Sequence, residues 1–311
     1  MRDPYEIHFI DRETKKIKKE KVYGQWFLDL IYSNFFGRKL RFLFTNRLFS
    51  SFYGFFQNLP LSQIKYETFI NKYNINMEEF KLDQPNDKVP YKTFNHFFIR
   101  KFKEGKRPFA LGPHILPAFA EGRYLVYPEI NDSIHFPIKG TYLKASDFLG
   151  QYNSWGHYFQ NGSLIITRLC PVDYHRFHFP DDGKIIKSYR VSGPLHSVNP
   201  IGIQHNQKLY LKNERHVNLL ETKNFGKMAF IEVGAICVGK IIQTKKESEF
   251  KKGEEKGYFL FGGSSLLVFL EKNQVIFDQD IIQNTHNQKE TYIKLGSKMG
   301  SLYQLKGNTY P

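Results

Sequence analysis

Five consecutive apolar residues, Leu266 to Leu270, follow directly on Gly262-Gly263-Ser264-Ser265. A short apolar run headed by turn residues reads as a buried strand entered through a tight turn. That turn also has chemistry of its own. Serine is a poor nucleophile without a base or a strained setting, and the carbonyl most easily reached by Ser264 is that of Gly263. Glycine has no Cβ, so the backbone can bend that carbonyl onto the hydroxyl. The segment is therefore either an ordinary turn or a place where the chain attacks its own Gly263–Ser264 bond.

The stretch Arg168 to Pro180 places His175 and His178 three residues apart among apolar residues and prolines. Imidazole is the side chain whose ordinary pKa suits acid–base work near neutrality. The alternative is a pair of packed histidines with ordinary hydrogen bonds. No third His, Cys or carboxylate stands at a recognised ligand spacing, so no metal is expected. Residues three apart on a regular strand face opposite sides. If both rings reach one pocket, a turn or bulge is required near Arg176 and Phe177.

The pattern of the chain changes along its length. Residues 1–24 read as a hairpin or extended arm carrying the solvated lysines Lys15 to Lys21. Residues 25–105 read as helices, broken at Pro60 and Pro90, with a loop over Asp83 to Asp87. From about residue 115 short β-rich runs take over: 124–127, 164–168, 228–233 and 266–270, with 275–277 and 292–295 as edge strands. The expectation is an α+β protein: an N-terminal arm and amphipathic helical region over 1–105, and a mostly antiparallel β catalytic domain over 106–311. A 41% hydrophobic and 16% aromatic content supports a packed core rather than disorder.

Six blocks stand in order: Tyr91 to Phe102 with Arg107-Pro108, Pro171 to Pro180, Gly193 to Asn199, Asn213-Glu-Arg215, Val233 to Ile241, and the Gly-Gly-Ser-Ser segment. Together they resemble the phosphatidylserine decarboxylase family, and the opening Ile7 to Thr14 with the Phe261-Gly-Gly-Ser264 form of the cut site resembles its longer bacterial branch. The resemblance implies a self-cleaving proenzyme. Ser264 attacks the Gly263 carbonyl, the chain splits into a β chain (1–263) and an α chain (264–311), and Ser264 becomes a pyruvoyl group. That covalent cofactor serves as the electron sink when phosphatidylserine loses CO2 to become phosphatidylethanolamine. By resemblance His178 is the base for self-cleavage and His175 acts in decarboxylation. The family's orienting aspartate is replaced here by Glu121, in Leu116-Pro-Ala-Phe-Ala-Glu-Gly-Arg123, which keeps the charge and adds a methylene. Threonine is usual where Ser265 stands. Both fragments are expected to stay associated, and a homodimer is compatible with the pattern. A non-processing member, or a non-catalytic lipid-binding β-sandwich, is the rival reading.

The formal net charge of +15 favours a polyanionic partner. Residues 30–60 hold no acidic residue but ten aromatics, with Arg38, Lys39, Arg41 and Arg47. Leu48, Phe52, Phe55, Phe56 and Leu59 recur at helical spacing, as do Leu40, Leu43, Phe44 and Leu48. Basic, aromatic and amphipathic character together describes a helix lying on an anionic phospholipid membrane; helices packed on the protein's own core are the alternative. No RNP, KH or zinc-finger pattern supports nucleic acid. Two cysteines outside any C-x-x-C pair, no apolar leader and no run of 18 apolar residues lead to a peripheral protein on the cytoplasmic face of the membrane.

Overall fold

The computed structural model describes residues 6–32, 35–84, 90–130, 144–199, 209–236, 240–262 and 264–303; side chains 28, 35, 36, 38, 40 and 41 are outside the description. In chain order the strands are β1 (His8–Asp11), β2 (Ile17–Lys19), β3 (Ile115–Pro117), β4 (Gly122–Tyr127), β5 (Ser163–Leu169), β6 (Arg176–His178), β7 (Gly183–Val191) and β8 (Arg215–Thr222). They continue as β9 (Lys227–Gly234), β10 (Ile241–Gln243), β11 (Glu249–Phe250), β12 (Glu255–Phe259), β13 (Ser264–Leu270), β14 (Val275–Phe277), β15 (Glu290–Ile293) and β16 (Lys298–Leu302). Ten form one sheet in the order β11-β7-β8-β9-β13-β5-β4-β15-β1-β2. Two three-stranded sheets, β10-β12-β6 and β14-β16-β3, accompany it. The architecture is mixed α and β with mostly antiparallel pairing; β1 against β15 is parallel.

β13 is the reason the apolar run exists. All seven of its residues are buried, and each pairs with β5 on one side and β9 on the other. A strand covered on both faces needs no polar alternation. Phe177 of β6 lies 5.1 Å from Phe259 of β12 and 6.1 Å from Phe230 of β9, joining the small sheet to the large one.

The N-terminal arm is the expected hairpin. Asp11 accepts hydrogen bonds from Thr14 N and Oγ1 at 2.9 and 3.0 Å, closing the turn between β1 and β2. This hairpin extends the large sheet, and its buried Glu20 pairs with Arg168 at 2.7 Å and Arg123 at 2.8 Å. One expectation is corrected here. β15 is an interior strand of the large sheet, flanked by β4 and β1, and not an edge. The arm covers the edge that the sequence left open. β14 does lie at an edge of its sheet.

The α-helices of the N-terminal region are α1 (Gln25–Tyr32), α2 (Phe35–Phe44), α3 (Arg47–Gln57), α4 (Ile64–Tyr73) and α5 (Phe94–Phe98). Asn46 starts α3 by accepting from Leu48 N at 2.8 Å, an N-cap bond. The turn at Thr45-Asn46 places Leu40 and Leu48 on different helices, so the second periodic set is not one face. The first set is a face, and it points outward: Leu48 is 78% exposed and Phe52 63%, with Phe55 and Phe56 beside them. Phe49 and Tyr53 turn inward, Tyr53 to 5.8 Å from Phe261. Phe42, Trp26, Leu61 and Ile64 extend the exposed apolar surface. Among the described residues no helix is long and apolar enough to cross a membrane. Residues 85–87 of the expected Asp83–Asp87 loop lie outside the description, as does Cys237; Cys170 is buried and free.

Candidate active site

Ser264 opens β13 at the centre of the large sheet, paired with Leu169 of β5 and Gly234 of β9. It is fully buried, and among the described residues its Oγ has no hydrogen-bond partner. An unpartnered buried hydroxyl costs free energy and calls for a functional reason. Gly263 lies outside the described residues. Gly262, just before it, has φ +142°, a conformation that favours glycine.

His175 is held against this segment by aromatic packing. Its ring stacks on Phe98 of α5, centroids 3.9 Å apart, and Phe98 packs on Phe261 at 4.9 Å. Its Nε2 lies 2.9 Å from the carbonyl oxygen of Cys170, the residue after Ser264's partner Leu169. A carbonyl can only accept, so Nε2 carries the proton and Nδ1 keeps its lone pair. That Nδ1 is buried and has no partner among the described residues.

His178 ends β6, its backbone N–H donating to the carbonyl of Phe119 at 2.8 Å. Its ring lies parallel to Tyr174 at 6.2 Å and tilted to Phe109 at 5.6 Å, and its Nδ1 also lacks a partner among the described residues. Burial pushes both imidazoles down to about 3, aided at His178 by Arg176 and Lys101, and at His175 by Arg100 against the opposing Cys170 bond. Both rings are therefore neutral near pH 7. The irregularity expected at Arg176–Phe177 falls instead on the partner strand, where the β12 register shifts between Glu255 and Gly257. The β6 strand starts only at Arg176; His175 precedes it in irregular backbone, its carbonyl accepting from Phe259 N at 3.0 Å.

Glu121 is buried and fully engaged. Arg107 donates to it from Nε at 2.5 Å and Nη2 at 3.1 Å, Tyr292 from its hydroxyl at 2.8 Å, and Leu295 from its N–H at 3.3 Å. It thus faces Arg107 and Tyr292, while Ser264 Oγ and His178 Nδ1 stand unbonded. Arg107 lies over the Phe102 ring at 4.2 Å, and Phe102 packs on Tyr174 at 4.4 Å, which leads back to His178. Sequence reasoning missed Phe98, Tyr174 and Tyr292 as neighbours of these groups. The first sits in the aromatic Tyr91–Phe102 block, whose density of rings was the available signal. Among the described residues no group of three or more His, Cys, Asp or Glu could hold a metal ion.

Residues 94–301 match the family model described as phosphatidylserine decarboxylase. The chain belongs to the phosphatidylserine decarboxylase family. It is 39% identical over 297 residues to the phosphatidylserine decarboxylase proenzyme of Fusobacterium nucleatum, covering 95% of this chain and 97% of that protein. Proteins of the same name from Clostridium tetani and Clostridium novyi are each 37% identical, covering 96% and 95% of this chain and 99% of theirs. The family model begins at α5, the helix that carries Phe98 to His175, so it spans the whole candidate site.

Proposed function

We propose that this chain is a self-cleaving proenzyme whose mature form decarboxylates phosphatidylserine at a pyruvoyl group made from Ser264. The enzyme class is that of its family, a decarboxylase of phospholipid biosynthesis. The observation that carries the self-cleavage reading is the buried Ser264 hydroxyl, unpartnered among the described residues, at the head of the central strand two residues after the positive-φ Gly262.

Attack of Oγ on the Gly263 carbonyl exchanges the amide for an ester. Elimination then breaks the Cβ–O bond and frees Gly263 as a carboxylate. One water displaces ammonia from the dehydrated residue, leaving the ketone at the new N-terminus. The site suits the group, since a buried strand head with an unsatisfied polar atom can hold a carbonyl away from water. Once formed, the pyruvoyl group supplies an electron sink for the bond broken as CO2 departs. His178, kept neutral by burial, takes the serine proton. Glu121 positions it indirectly, through the Phe119 carbonyl two residues away and the Arg107–Phe102–Tyr174 stack. His175 Nδ1 moves protons in the decarboxylation half. The exposed apolar face of α1 to α4 rests on anionic phospholipid at the cytoplasmic side, since extracting acyl chains costs about 0.8 kcal/mol per CH₂.

Intact mass tests the core of this reading. Purified protein should yield 263- and 48-residue pieces (311 − 263) that co-elute under native conditions, and Ser264→Ala should stay whole. A wild-type chain still at full mass after long incubation at neutral pH refutes it.

A further inference from the structure

A cavity of about 380 Å³ opens beside the end of β9. Four basic side chains, Arg47, Arg190, Arg215 and Lys240, line it against one carboxylate, Glu214. Glu214 is itself shared, lying 3.5 Å from Arg47 and in contact with Arg190. Arg215 is spent on backbone carbonyls, including those of Phe148 and Leu211 at 2.8 and 2.6 Å. The remaining excess of positive charge has no counterpart among the described lining residues.

Sheet register places this charge relative to Ser264. Residues directly opposite on adjacent strands share a face, as do residues two apart. Arg190 is opposite His216, His216 opposite Glu232, and Glu232 opposite Leu266. Gly234 and Ser264 stand two residues along from Glu232 and Leu266, again opposite each other. Arg190 and the Ser264 side chain therefore project on one face, and the Gly234 wall of the cavity lies one strand, about 4.8 Å, from Ser264. At Gly234 a Cβ would meet Leu195 Cδ2 at 3.0 Å, so a side chain there would crowd the cavity wall. A second cavity, about 530 Å³, shares Arg47 and reaches Phe42 on the exposed apolar helices.

We infer that this basic cavity is the subsite for the phosphodiester of the lipid headgroup, held by Arg190 and Lys240, with Arg47 at the side where the acyl chains leave. This deepens the function proposed above and rests on it. Phosphorus and amine are four bonds apart in a serine headgroup, roughly 5 Å when extended. The Gly234 wall, on the strand paired with β13, lies within that span of Ser264, and Arg190, on β7 three strands from β13, reaches the same cavity through its long side chain.

The experiment compares the self-processed wild type with Arg190→Gln/Lys240→Gln in mixed micelles of phosphatidylserine and neutral detergent. The variant should show KM, in surface mole fraction, raised roughly tenfold or more, the scale of lost charge-assisted hydrogen bonds. Its kcat should change far less, and its self-cleavage not at all. By calorimetry, soluble glycerophosphoserine should bind wild type more tightly than inorganic phosphate does, and bind the variant poorly. Phosphatidylglycerol vesicles should bind both proteins equally. Unchanged KM and glycerophosphoserine binding overturn the assignment. So does equal affinity for inorganic phosphate, which marks a free-phosphate site, or a matching loss of phosphatidylglycerol binding, which marks a general membrane anchor. A wild type that binds glycerophosphoserine through these two residues without turning over phosphatidylserine upholds the subsite and refutes the catalytic reading instead.

Discussion

Mild acid should destabilise this protein largely through His175 and His178. Each is held neutral in the fold down to about pH 3, whereas the unfolded chain takes up a proton at 6.5. Stability falls wherever the unfolded state binds more protons, so it drops as pH goes below 6.5. Between pH 7 and 4 each ring contributes a loss of about 3 kcal/mol, from 2.5 pH units at 1.36 kcal/mol each. Glu20, lowered to about 2 by Arg168 and Arg123 against its burial, adds a loss of less than about 1 kcal/mol above pH 4. Asp173 acts the other way. Burial raises it to about 6, so it is protonated in the fold first and returns about 2 kcal/mol over the same range. The net loss of about 5 kcal/mol is comparable with the whole stability of a marginal domain. The assay is urea unfolding of Ser264→Ala, which keeps one covalent chain, against Ser264→Ala/His175→Leu at pH 7 and pH 4. The second protein should lose about 3 kcal/mol less between the two pH values, whatever its stability at pH 7. Parallel losses would mean that His175 is already protonated in the fold, and the burial argument would fail.

Three further outcomes follow from the site and the helices. His178→Ala should stall at the uncleaved stage, while His175→Ala should cleave and then lose most phosphatidylserine turnover; gel mobility and CO2 release separate the two, and a cleavage block in both would erase the division. Glu121→Gln strips the charge from a buried pair with Arg107, a change that costs about 3–5 kcal/mol when one partner of such a pair is removed; thermal melting should fall and self-cleavage slow, whereas an unchanged cleavage time course would separate Glu121 from His178. Leu48→Ser/Phe52→Ser/Phe55→Ser should weaken co-sedimentation with phosphatidylserine vesicles with little loss of thermal stability, because these side chains are exposed; a large drop in melting temperature instead would make them core.

Much of the catalytic core was legible because its signals are local. The run after Ser264 is apolar on both faces, and the N-terminal hairpin has a turn that its own Asp11 and Thr14 close. What could not be read depends on distant partners. Nothing near residue 290 announces that β1, some 280 residues earlier, will pair with it in parallel and make β15 interior. Glu20 sits in a lysine-rich arm that reads as solvated, yet it is buried by Arg168 and Arg123. The same limit hides the surroundings of Glu121. Its motif gives the carboxylate, but Arg107 reaches it from one part of the chain and Tyr292 and Leu295 from another, some 170 residues on.

The position of β13 has a consequence for the life of the protein. Cleavage would sever the chain at the head of a strand that seven residue pairs tie to each neighbour, and β15 and β16 lie on the same short piece. Nothing would be released, so the product is a two-chain body whose halves were never separate folding units. The large sheet can be assembled while the backbone is continuous, with all its strands at one local concentration. After the cut, an unfolded molecule would face a bimolecular search by two fragments, one of them only 48 residues long (311 − 263). Such a protein folds once. Its working lifetime is then set by how slowly it opens rather than by an equilibrium to which it can return.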